Sequence, residues 1–275
     1  MRIFVLAAMA AAAFAPCTLK AECKFQQDRT GGDDARGVEK VVLVAGAGDL
    51  DVRGSEGAKR IEAHGKACAS SQGLLDQIVL KTHREGSTLF VEAIMPELKQ
   101  VTLLGSTYAN LDLKVTLPSN LPVEAQDSSG DSVLEDLKSL KMLDSAGDLN
   151  ISKIAGLVDL KDSSGDIEID HAGGVTLQDS SGDIDLDHIT SNVEIVVDSS
   201  GEIEIEEVGG DVHIKQDSSG DMKLSDVKGN VTIDADSSGG ITVRNIGGDF
   251  TVSADTSGGI SHDNVRGRVS LPTTH

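Results

Sequence analysis

Nine carboxylates stand at alternating positions in three similar segments of this 275-residue chain. They are Asp166, Glu168 and Asp170, then Asp183, Asp185 and Asp187, then Glu202, Glu204 and Glu206. Residues two apart share a face of an extended strand, so each triplet would point to one side. Laid side by side, such strands bring neighbouring carboxylates to about 5 to 7 Å. Unit charges 5 Å apart repel by about 0.8 kcal/mol even at the dielectric of water. A face of this kind is either left solvated, where it keeps a repetitive sheet soluble, or neutralised. Ca²⁺ suits it, because Ca²⁺ accepts several carboxylate oxygens in flexible geometry. A partner with a basic face is the other neutralising reading. The nine residues are therefore a candidate Ca²⁺ face, and no resident cofactor is expected.

Two further columns have chemical content. His171 and His188 occupy equivalent positions and are followed there by Glu207 and Asp226. Two imidazoles and two carboxylates suit Zn²⁺. A column spaces them in a line, however, and two unrelated exposed histidines are the simpler expectation. The first Asp of a recurrent DSSG turn, from Asp127 to Asp255, reads as a carboxylate bonding the backbone of its own turn.

What must position these groups is a repeat. The motif recurs at Asp127, Asp144, Asp162, Asp179, Asp198, Asp217, Asp236 and Asp255, at spacings of 17, 18, 17, 19, 19, 19 and 19 residues. Apolar residues fall 5, 7 and 10 positions after the first Asp and again near 14 and 16, as in Ile203, Ile205, Val208, Val212 and Ile214. A period of two marks strands with one buried face. DSSG and GGD carry turn chemistry. One unit of strand, turn, strand, turn cannot bury its inner face alone, but stacked units can. The expected fold is all-β: a parallel β-solenoid of about eight coils of 17–19 residues, about 38 Å long at ~4.8 Å per coil. An antiparallel meander or sandwich explains the strands but not the same turn at every second corner.

Residues 24–126 are less regular. VVLVAGAGDLDVRG (41–54) looks like a degenerate rung, 78–93 like a hairpin around Glu85-Gly86, and 111–126 like two strands joined by a Pro-containing turn. The organisation expected is a signal peptide over 1–21, a cap with irregular first coils over 22–126, and the regular repeat over 127–275, continuous with the cap.

The signal reading rests on Arg2 followed by the apolar run IFVLAAMAAAAFA, too short to span a bilayer as a helix. Cleavage after Ala21 is expected, with Ala15 as the competing position, so the mature chain is periplasmic or secreted and not membrane-spanning. Loss of Arg2 and Lys20 takes the formal charge from −21 to −23. Phosphate backbones need the opposite sign, which argues against nucleic acid. Cys23 and Cys68 remain as an even pair in an exported chain, and a disulfide between them is expected. With five Phe, one Tyr and no Trp, the core must be aliphatic and the chain lacks the aromatic platforms that sugar-cleaving solenoids use.

The signal segment, GAKRIEAHGKAC at 57–68, LDLKVTLPSNLPVEA at 111–125 and the serial DSSGD turns resemble the bacterial β-strand-repeat family known as "putative adhesin", a domain of unknown function. The resemblance implies an extracytoplasmic β-solenoid and carries over no catalytic residue. The function expected is a non-catalytic scaffold or adhesion surface in the bacterial envelope, partnered by an envelope or surface protein. The alternatives are a Ca²⁺-binding module and, more remotely, an enzyme acting on polysaccharide.

Overall fold

The computed structural model describes residues 23–98 and 107–273. The signal segment and its cleavage position lie outside them. The N-terminal strands are β1 (Phe25–Asp34), β2 (Lys40–Val44), β3 (Leu50–Ser55), β4 (Arg60–Ala69), β5 (Val79–Glu85), β6 (Thr88–Ile94) and β7 (Ala109–Pro118), with one helical turn, α1 (Gln72–Leu75), before β5. Then follow β8 (Pro122–Gln126), β9 (Ser132–Glu135), β10 (Ser139–Leu143), β11 (Leu149–Lys161), β12 (Ile167–Gln178), β13 (Ile184–Ile189) and β14 (Val193–Val197). The last are β15 (Ile203–Glu206), β16 (Val212–Ile214), β17 (Met222–Ser225), β18 (Val231–Ile233), β19 (Ile241–Ile246), β20 (Phe250–Val252), β21 (Ile260–Val265) and β22 (Val269–Ser270).

From β8 onward the strands form two parallel ladders. One runs β9, the first half of β11, the first half of β12, β13, β15, β17, β19, β21. The other runs β8, β10, the second halves of β11 and β12, β14, β16, β18, β20, β22. Equivalent residues of successive copies pair in register, as in Ile167, Ile184, Ile203, Met222 and Ile241. The fold is a β-solenoid of stacked parallel coils, as the repeat requires.

The alternation decides the core. Ile203, Ile205, Val208, Val212 and Ile214 are buried, and so are their counterparts in neighbouring coils, such as Met222, Leu224, Val227, Val231 and Ile233. Each such side chain contributes about 1.5–3 kcal/mol on full burial. A strict period of two would turn the residue ten positions after the first Asp outward. It points inward because the residue before it is left-handed. Asp136, Lys153, His171, His188, Glu207, Asp226, Asn245 and Asn264 all have φ between 50° and 60°. This conformation costs a non-glycine residue about 1–2 kcal/mol and favours Asn, Asp and His. It bends the chain between the two ladders and resets which side faces in.

The 41–54 segment is a true rung. Its AGAGD turn stacks on the first DSSGD through Ala47 and Ser129. Stacking order departs from chain order here. β2 lies between β6 and β8, and β3 between β7 and β9. Beyond them, β5 and β6 form the expected hairpin, and β4 joins β7 and β1 in antiparallel pairing. Cys23 and Cys68 are disulfide-bonded, with Cα atoms 5.7 Å apart, tying the start of β1 to β4.

Candidate functional site

The last two residues of each acidic triplet lie on β12, β13 and β15, on the outward side of one ladder, and the first of each, Asp166, Asp183 or Glu202, immediately precedes its strand. Parallel register places Glu168 beside Asp185 and Asp185 beside Glu204, while Asp170 pairs with Asp187. None of the nine is buried. Their roles differ, which the sequence did not reveal. Asp166 Oδ1 accepts the backbone N–H of Asp183 at 3.0 Å, and Asp183 Oδ1 accepts that of Glu202 at 2.8 Å. Asp131, Asp148 and Asp221 do the same for the coils that follow them. The fifth residue of DSSGD is therefore a fastener between coils. At the margins, Glu168 accepts from Asn150 Nδ2 at 3.0 Å, Glu206 accepts from Ser225 Oγ at 3.2 Å, and Glu202 is ion-paired with Lys223. In the middle of the patch, Asp185 is raised from the ordinary aspartate range by partial burial and by Glu204, Glu168, Asp187 and Glu206 around it. The face is solvent-facing and negative, with Asp185 between Glu168 and Glu204 at its centre.

The turn that stacks these strands is more closely built than its composition suggests. The second Ser donates from Oγ to the first Ser carbonyl of the preceding coil, as in Ser219 to Ser199 at 3.1 Å and Ser257 to Ser237 at 3.1 Å. The glycine amide donates to the second Ser carbonyl of the next coil, 3.1 Å from Gly220 to Ser238. A third fastener sits at the opposite turn. Asn192, Asp211, Asn230 and Asp249 each accept the amide of their counterpart one coil on, at 2.6 to 2.9 Å.

The first Asp of the turn faces the serine amides of its own turn, as expected, and is buried as well. Asp127 bonds its own turn with good geometry, accepting from Ser128 N–H at 2.8 Å and from Ser132 Oγ at 3.2 Å. Asp144, Asp162, Asp179, Asp198, Asp217 and Asp236 are at most 6% exposed. The amides of the serines that follow them, and in Asp144–Asp162 and Asp198–Asp217–Asp236 the neighbouring carboxyl, lie against their oxygens, though without the geometry of full hydrogen bonds. The serine amides that follow lie near enough to oppose ionisation's cost only in part. Burial, then the neighbouring aspartates of the column, push Asp144 up to about 7 and Asp198, Asp217 and Asp236 up to about 6. Asp162 and Asp179 are raised as well, by burial first. Carboxyls this close titrate together. The column is a buried row of carboxyls that hold their protons to higher pH than exposed aspartates do.

The histidine column departs from a plain line. The His171 and His188 rings stack at 4.4 Å between centroids and 12° between planes. Asp170 Oδ1 lies 2.6 Å from His171 Nδ1 and 3.2 Å from His188 Nδ1. Asp187 Oδ2 is 2.8 Å from His188 Nδ1, and Glu207 Oε2 is 3.4 Å from His188 Nε2. Asp226 is not part of this group; it accepts from Asn245 Nδ2 at 3.0 Å, and Asn245 accepts from Asn264 at 2.8 Å.

The sequence profile of the family described as Toastrack DUF4097 matches residues 76–270, more than half of the chain. The chain belongs to this family. Solved structures similar to this Toastrack chain include a "putative adhesin" from Bacteroides fragilis, 15% identical, covering 90% of this chain and 98% of that one at a TM-score of 0.45. A "Putative lipid binding protein" from Parabacteroides distasonis is 15% identical, covering 90% of this chain and 97% of that one at a TM-score of 0.42. A "putative adhesin" from Parabacteroides merdae is 13% identical over 90% and 96% of the two chains at a TM-score of 0.35. No curated protein matches this chain. Among the described residues of this Toastrack chain, no helix is long and apolar enough to cross a membrane.

Proposed function

We propose that the protein is a non-catalytic extracytoplasmic scaffold of the bacterial envelope, periplasmic or secreted, whose acidic face docks a partner protein with a basic face. The reading is carried by one observation: parallel register sets Glu168, Asp185 and Glu204 in a single row across three coils. A row held by main-chain pairing is rigid, so a partner loses little further freedom on meeting it, and complementary charge speeds the encounter. The charge of the row excludes anionic surfaces from the same place.

The test is neutralisation of the row. The mature protein and an E168Q/D185N/E204Q variant would be cross-linked in their native envelope. The reading expects a defined partner with the wild type that is lost with the variant and weakened by salt. Equal recovery of the same partner by both proteins contradicts it. Calcium titration of thermal stability addresses the cation reading of the nine residues. A midpoint that rises with Ca²⁺ beyond an ionic-strength control, and not in the variant, would assign the face to the cation instead.

A further inference from the structure

We propose that Asp170, His171 and His188 form a binding site for a transition cation of borderline softness, Zn²⁺ foremost, at the left-handed corner of two adjacent coils. One carboxylate oxygen and one nitrogen from each ring lie within 4.8 Å of one another. The convergence point is Asp170 Oδ1, which both Nδ1 atoms approach. A tetrahedral Zn²⁺ with bonds of ~2.0 Å needs its ligand atoms about 3.3 Å apart. The Asp170–His188 separation of 3.2 Å is already at that scale, and the 2.6 Å Asp170–His171 contact reaches it by a swing of the His171 ring. Only the stacked rings must open, because parallel rings aim their lone pairs side by side rather than at one point. Both rings are exposed enough to turn, at 56% and 40% of the side-chain surface.

The surroundings complete the chemistry. Asp187 Oδ2, at 2.8 Å from His188 Nδ1, offers a fourth donor. With Nδ1 on the metal, the Nε2–H of His188 faces Glu207 Oε2 at 3.4 Å. A carboxylate behind a ligating histidine fixes its tautomer and raises its basicity. Asp170 and Asp187 belong to the edge of the acidic face, and imidazole nitrogen separates this site from the all-oxygen row Glu168, Asp185 and Glu204: borderline cations prefer it, and Ca²⁺ does not.

The fold supplies its own control. The same left-handed corner is occupied by asparagine at Asn245 and Asn264. An H171N/H188N variant therefore keeps a residue type the corner already accepts. The experiment is calorimetric titration of ZnCl₂ into the mature chain, the H171N/H188N variant, E207Q and E168Q/D185N/E204Q, each first checked for an unchanged metal-free melting midpoint. The proposal expects one Zn²⁺ per wild-type chain, loss of that site in H171N/H188N, affinity lowered about 10–100-fold in E207Q, and retention in the acidic-row variant. Co²⁺ in place of Zn²⁺ should show the visible absorption of a tetrahedral site in the wild type alone of the first two. Absence of a one-to-one site, equal binding by H171N/H188N, or loss of binding in the acidic-row variant would each overturn it.

Discussion

At the residue scale, the buried aspartates are the most unusual groups in the molecule. An aspartate held near 6 in the fold, against about 3.9 in the unfolded chain, binds its proton more tightly when folded. Its contribution to stability is full below pH ~4 and is lost as pH rises through 6 to 7. Asp34 and Glu135 are lowered by Arg36 and Lys153, and Asp249 by the Arg268 amide and then its guanidinium; these act in the opposite sense, at the acid end. The thermal midpoint is thus expected to fall from pH 5 to pH 8. D217N, which removes a charge flanked by Asp198 and Asp236, should flatten that fall and cost less at pH 8 than at pH 5. A midpoint that climbs over the same range, with D217N parallel to wild type, would count against the column. These residues were legible as a column because DSSG recurs. Their burial was not, since Asp in a turn ordinarily reads as a local acceptor, and only the position of Asp144 to Asp236 under the stacked turns takes those oxygens from water.

At the scale of the element, the coil is held by backbone geometry as much as by its apolar face. Gly220 has φ +136°, and a Cβ there would meet the Gly201 carbonyl oxygen at 1.6 Å. G220A is expected to cost about 1–3 kcal/mol from the conformation alone, and more from the clash; urea denaturation measures it. At the opposite turn, Asp211 accepts the Asn230 amide at 2.6 Å. D211A should cost about 0.5–1.5 kcal/mol, whereas D211N should be nearly neutral, because Asn192 and Asn230 hold the same place in neighbouring coils. A D211N cost equal to that of D211A would show that the amide contact is not what matters. Strands and core were readable from the spacing of Ile, Val and Leu. The left-handed corner was not, although its signal lay in the residue types there: His171, His188, Asp226, Asn245 and Asn264 are all residues that tolerate positive φ. What hid it was Lys153 and Glu207, which have no such preference.

At the scale of the whole molecule, each coil contacts only its neighbours, so stability should add coil by coil. Deletion of residues 217–235, one full period, joins Gln216 to Asp236 and leaves every ladder in register. The shortened protein is expected to fold cooperatively with a smaller urea m-value, in proportion to the surface lost. Deletion of half a period should abolish folding, because strands of one ladder would be offered to the other. The N-terminal strands were harder to order from sequence. The rung at 41–54 was visible, but its place between strands that come later in the chain follows from tertiary pairing of β2 with β6 and β8, which no local pattern encodes.

The account rests on in-register parallel stacking, and distances along one column test it most directly. Thr176, Glu194, His213, Thr232 and Thr251 pair successively along the second ladder. Spin labels on Thr176 paired in turn with His213, Thr232 and Thr251 should give electron–electron distances that lengthen by about 4.8 Å with each added coil. Distances that alternate between short and long, or that fail to grow with the number of intervening copies, would contradict the solenoid and the acidic row with it.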